Sequence, residues 1–202
     1  MKYFILSGSH RPNSQSVKVA RYIEATIQRE LDGATTYLLE LAHANLPFWD
    51  EGMWSGAPKW KQVWGPIATE LRSSAALVVV SPEWSGMVPA MVKNFFLLAG
   101  NAELAHKPGL IVGVSSTRGG AYPVAELRAS SYKNNHLCYI PEHIIVRDAG
   151  QVLGDGEPAS DADVYLRKRI AYAVRVLAAY ASALIGVRES GVIDTKTYAF
   201  GM

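Results

Sequence analysis

The chain has 202 residues and a 49% hydrophobic share, enough for one domain around a real core. Its formal net charge of +2 gives no electrostatic case for nucleic acid or a membrane surface as partner. A single cysteine, Cys138, excludes an internal disulfide and suits a reducing compartment, so a cytoplasmic protein is expected.

In chain order, Tyr3 to Leu6 reads as a short buried strand, far too short for a signal peptide. Val17, Ala20, Ile23, Ile27 and Leu31 then recur at helical spacing. Thr36 to Leu41 reads as a strand, Lys59 to Ser73 as a helix, Ala76 to Ser81 as a strand and Ala90 to Glu103 as a helix. Leu110 to Ser115 is the next strand, Ala121 to Asn134 a helix and Ile144 to Arg147 the last strand. A long helix is expected from about Asp161 to Ile185, its apolar face carrying Leu166, Ile170, Val174, Leu177 and Leu184. No stretch approaches the roughly 20 apolar residues of a membrane span. Residues 1–186 read as one domain and 187–202 as a tail, which either frays or docks Tyr198 and Phe200 on a neighbouring subunit.

Strands such as Ala76-Leu77-Val78-Val79-Val80 are apolar throughout rather than alternating, which indicates burial on both faces. The expectation is an α/β fold, a five-stranded parallel sheet of order 2-1-3-4-5 covered by helices on both faces. In such sheets ligands sit beyond the carboxyl ends of the strands at the switch point, here between the first and third strands.

Three unusual loops fall at that end. Gly8 to Ser16 joins the first strand to a helix, a turn that presents unpaired backbone amides to an anion. Ser9, Ser14 and Ser16 add hydroxyl donors, and Arg11 adds a charge with bidentate geometry, an inventory that fits a phosphate monoester. The plainer reading is that Ser14 or Ser16 only caps the helix and Arg11 is a solvated charge. Ser81-Pro82-Glu83-Trp84-Ser85-Gly86 follows the third strand, and Ser115 to Gly120 follows the fourth. Spacing excludes a Walker loop and a three-glycine dinucleotide fingerprint. No Gly-x-Ser-x-Gly elbow occurs, and His43, His106, His136 and His143 have no metal-ligand spacing.

Gly8-Ser9-x-Arg11-x-x-Ser14, then Pro82-Glu83-Trp84-Ser85-Gly86-x-x-Pro89 and Lys93-Asn94, resemble the NAD(P)H-dependent FMN reductase family. That family's second motif commonly reads Pro-Glu-Tyr-Asn-Gly. Leu46 to Glu51, Thr117 to Gly120 and Glu126-Leu127-Arg128 extend the resemblance, which covers roughly residues 2–180. It implies a flavodoxin-like three-layer sandwich, bound FMN, and NADPH or NADH as co-substrate. Ser9, Arg11, Ser14, Gln15 and Ser16 would hold the phosphate. Pro82, Glu83, Trp84, Ser85 and Gly86 would face the isoalloxazine ring, and Ser115, Arg118, Gly119 and Gly120 its pyrimidine side.

The implied reaction is an oxidoreductase cycle, with hydride passing from nicotinamide to FMN and two electrons then passing to a small-molecule acceptor. A quinone, free flavin, azo compound or metal oxyanion would serve. No side chain is assigned as an acid or base, and no metal is expected. A flavodoxin-type carrier or a non-catalytic flavin sensor is the alternative, although a carrier's Thr-rich loop and acidic surface are absent. A homodimer or homotetramer is the family expectation.

Two departures stand out. Trp84-Ser85 replaces Tyr-Asn, which removes a carboxamide. Phe95-Phe96-Leu97-Leu98 replaces the usual continuation after Lys-Asn and reads either as a greasier interface or as deeper core. Trp49, Trp54, Trp60 and Trp64 crowd the segment after the second strand, as a lid over the flavin or as a pinned loop with Trp60 and Trp64 on one helical face. His10 either donates to the phosphate or is an exposed loop histidine.

Overall fold

A computed structural model describes residues 1–201. Five strands, β1 (Lys2–Ser7), β2 (Thr35–Glu40), β3 (Ala76–Pro82), β4 (Pro108–Val114) and β5 (Cys138–Val146), form one parallel sheet in the order β2-β1-β3-β4-β5. Between and after them come α1 (Gln15–Glu30), α2 (Gly52–Ser55), α3 (Pro58–Ser73), α4 (Ala90–Leu98), α5 (Asn101–Leu104), α6 (Ala121–Ala129) and α7 (Asp161–Glu189). The expected class and strand order are those observed.

Alternation along the central strands builds two cores. Tyr3, Ile5, Val78 and Val80 point to the face covered by α1 and α7, where Ile23, Ile27, Val174 and Leu177 are buried. Phe4, Leu6, Leu77 and Val79 point to the opposite face, against Trp64, Ile67, Phe95 and Leu127 of α3, α4 and α6. Every residue of β3 and of β4 is buried, as expected of strands covered on both sides.

Several boundaries differ from the sequence reading. The helix expected to reach Asn134 stops at Ala129, because the hydroxyls of Ser130 and Ser131 donate to the Glu126 and Leu127 carbonyls and Ser131 adopts φ 58°. The helix expected to reach Glu103 breaks after Leu98 and resumes as α5. The last strand is longer than its apolar core, since β5 lies at the sheet edge, where Pro141 is tolerated beside a register shift opposite Gly109 and Ile111.

α7 also runs on to Glu189 and contains an 18-residue window of mean hydropathy 1.8. By length and composition it could cross a membrane, contrary to the sequence reading. In the fold, its Ile170, Ala173, Val174, Leu177 and Ala181 face is fully buried against the sheet.

The structure places the residues of these alternatives one by one. Phe95 and Leu98 are core, whereas Leu97 is 65% exposed. Trp60 and Trp64 are buried on one face of α3, and Trp60 Nε1 donates to Asp50 Oδ1 at 2.9 Å. The segment before α2 is held by Asn94, which accepts from the Trp49 amide at 2.8 Å and donates to the Pro47 carbonyl at 2.9 Å. Trp54 packs edge-to-face on Trp49 but is largely exposed. The tail folds back on its own chain, with Gly201 N donating to the Lys133 carbonyl at 3.0 Å and His136 Nε2 lying 3.3 Å from the Ala199 carbonyl.

Candidate functional site

The three loops meet beyond the carboxyl ends of β1, β3 and β4. They enclose a crevice of about 250 Å³ lined by Ser9, Arg11, Ser14, Gln15 and Ser16 from the first loop, Pro82 to Trp84 from the second and Ser116 from the third. Asn13 and Val114 complete the lining, and these two and Ser116 were not named as site residues from the sequence. The available signal for Asn13 is its type, because it adopts φ 52°, which Asn tolerates better than most residues.

Hydrogen bonds set the shape of each loop. The Gly8 amide donates to the Val80 carbonyl at 2.8 Å, pinning the first loop to β3. Ser14 is the N-cap of α1 and accepts from the Val17 amide at 3.2 Å, so the plain capping role is real. Ser9 Oγ accepts from the Arg11 amide in the same way, and Ser115 Oγ from the Thr117 amide. A hydroxyl that accepts internally still has its own proton to donate outward. The amides of Gln15 and Ser16, in the first turn of α1, have no partner among the described residues, nor do those of Ser116, Arg118 and Gly119.

The second loop is a tight turn. Trp84 and Met87 exchange both backbone hydrogen bonds, at 3.1 and 2.9 Å, around Ser85 at φ 50° and Gly86 at φ 70°. Two successive positive φ values make this a type I′ turn, whose first central position favours Asn. Ser85 therefore differs from Asn first in how easily it takes the left-handed backbone. His10 stands edge-on to Trp84, ring centroids 4.6 Å apart, which joins the first two loops.

Glu83 joins the second loop to the third. Its carboxylate accepts from the Gly120 amide at 2.7 Å and the Tyr122 amide at 3.2 Å, at the start of α6. A Cβ on Gly119 would lie 2.5 Å from Glu83 Oε1, so a side chain there would push on the Glu83 carboxylate. The Glu83 carboxylate and the Gly120 amide thus bind one another. Ser85, Gly86, Ser115, Arg118, Gly119 and Gly120 stand outside the enclosed crevice.

The donor set suits a phosphate and a polar-edged ring. Arg11 is exposed and has no carboxylate within ion-pair reach among the described residues. Beside it lie two unpaired amides and the hydroxyls of Ser9, Ser14 and Ser16.

The sequence profile of the NADPH-dependent FMN reductase family matches residues 1–151. The chain belongs to that family. Its FMN cofactor and NADPH reductant accord with the donor set just described. A quinone reductase of Pseudomonas putida is 30% identical over 115 residues, 55% of this chain and 58% of that relative. The match therefore spans little more than half the relative's length.

Among solved structures, the chain resembles FerB, a flavoenzyme NAD(P)H:(acceptor) oxidoreductase from Paracoccus denitrificans. The TM-score is 0.71 at 21% identity, over 90% of this chain and 97% of that one. An NAD(P)H:quinone oxidoreductase from Methanothermobacter marburgensis gives a TM-score of 0.62 at 14% identity, over 88% and 98% of the two chains. At these identities the likeness is one of fold.

Proposed function

We propose that this chain is an NAD(P)H oxidoreductase that holds FMN in the crevice and delivers two electrons to a small-molecule acceptor. The observation that carries the reading is the convergence of Arg11, the unpaired Gln15 and Ser16 amides and three serine hydroxyls in one crevice at the switch point of the sheet. FMN, when bound, supplies the chemistry of accepting hydride and releasing electrons in pairs.

In this reading Ser9, Arg11, Ser14, Gln15 and Ser16 hold the phosphate, Arg11 as the only formal positive charge lining the crevice. The Pro82 to Gly86 turn presents a rigid edge to the ring. The Ser116, Arg118 and Gly119 amides face its polar side, in an arrangement that Glu83 keeps in place. Arg118 adds positive potential that favours a reduced, anionic ring. The acceptor class follows the relatives' names, with a quinone first and free flavin, azo compounds or metal oxyanions behind it. A cytoplasmic protein that assembles as a homo-oligomer completes the proposal.

The test is reconstitution with FMN, removal of excess, and anaerobic addition of NADPH. Retained flavin bands that bleach are expected. Retained but unbleached flavin would turn the reading to a carrier or sensor, and no retained flavin would overturn it. Arg11→Ala should weaken FMN binding about tenfold or more, measured by fluorescence quenching, because a charge-assisted contact to a dianion is lost.

A further inference from the structure

A second groove, of about 700 Å³, opens along the outer edge of β5 and the first turns of α7. Its floor is apolar, with Ile144, Val152 and Leu166, and its rim carries Arg147, Tyr165 and Arg169. Tyr165 is 69% exposed. Neither arginine has a carboxylate within ion-pair distance among the described residues, whereas Arg167 nearby is bound by Asp163. Arg169 lies over the Tyr172 ring at 5.1 Å. Asp148 and His143 also line the groove, so one carboxylate stands against two arginines.

The groove lies beside the third loop. Arg147 directly follows β5, and its Nε donates to the carbonyls of Arg118 at 2.7 Å and Gly119 at 3.2 Å, in the third crevice loop. The strand ends are tied in series, Glu83 N to the Val114 carbonyl and Ser115 N to the Val146 carbonyl, both at 2.9 Å. β5 stands two strands from β3, and adjacent strands are about 4.8 Å apart, so the groove begins roughly 10 Å across the sheet from the Pro82 turn. An extended dinucleotide with its nicotinamide at that turn is long enough to reach this groove.

We propose that this groove receives the adenosine 2′-phosphate end of NADPH. Arg147 and Arg169, the two arginines that line it, offer the 2′-phosphate, a dianion, guanidinium donors. Tyr165 offers its ring to the adenine over the apolar floor. The inference rests on the reductase reading, and it makes these arginines the residues that distinguish NADPH from NADH.

Binding of adenosine 2′,5′-bisphosphate and of 5′-AMP, measured by calorimetry with and without FMN, tests it without any hydride transfer. The bisphosphate should bind about tenfold or more tightly than 5′-AMP, and Arg169→Gln should abolish that advantage. Equal affinities in the parent protein, no binding, or a bisphosphate affinity unmoved by Arg169→Gln would overturn the proposal. Bisphosphate binding lost in Arg11→Ala but kept in Arg169→Gln would place the phosphate in the first loop and also overturn it. Failure of the reductase reading shows separately, as FMN that NADPH does not bleach.

Discussion

At the scale of single residues, Gly86 is constrained by its backbone conformation. A Cβ there would meet nothing within 4 Å, so the position is not crowded, but its φ of 70° is one that L residues rarely adopt. Gly86→Val should therefore destabilise the protein by about 2 kcal/mol through backbone strain, whereas Gly86→Asn should lose much less. Urea denaturation of both variants checks this, and equal losses would point to contact rather than strain. The sequence reading named Gly86 among the residues of this loop. Residue type was legible, and the backbone angle that makes it necessary was not. Asn94 is similar, a motif residue whose two side-chain hydrogen bonds, to the Pro47 carbonyl and from the Trp49 amide, become visible only once α4 packs beside that segment.

Between elements, Glu83 couples two loops that are far apart in sequence, its partner Gly120 lying 37 residues on. Removing the carboxylate leaves the buried Gly120 amide without a partner, so Glu83→Ala should cost about 2 kcal/mol. Glu83→Gln, which keeps an acceptor, should recover part of that. Hydrogen exchange should localise the damage to residues 115–122, and a loss spread evenly over the sheet would contradict the coupling role. The secondary structure was legible wherever periodicity was local and apolar, as in β3, β4 and α1. It was misread where a polar edge strand or a pair of serines decided the boundary, because neither β5 nor the end of α6 announces itself through hydrophobic spacing.

For the whole molecule, the end of the sheet opposite the crevice holds the clearest stability handle. Lys107 is buried, and its ammonium donates to the Leu71 and Arg72 carbonyls at 2.6 and 3.0 Å, closing the C-terminal end of α3. Burial first, and then the nearby Arg188 charge, lower its pKa from 10.5 to about 8. The unfolded chain thus binds this proton more tightly than the folded one. Between pH 8 and 10.5 the unfolded state carries more protons, so this group's contribution to stability rises with pH and is least favourable below pH 8. Lys107→Met should remove that rise from the pH dependence of unfolding free energy between pH 8 and 10. An unchanged slope would show that the ammonium is as well solvated folded as unfolded.

The sequence by itself determined the alternation of strands and helices, the doubly covered parallel sheet and the chemistry of the loops at its carboxyl end. These depend on short-range spacing and residue type, which a linear chain displays directly. Tertiary structure alone decided that the Glu83 carboxylate binds the third loop, that the tail returns to its own chain, and that Arg147 and Arg169 face one groove. Each of these joins residues distant along the chain, and such distances close only when the whole sheet has its order and its register.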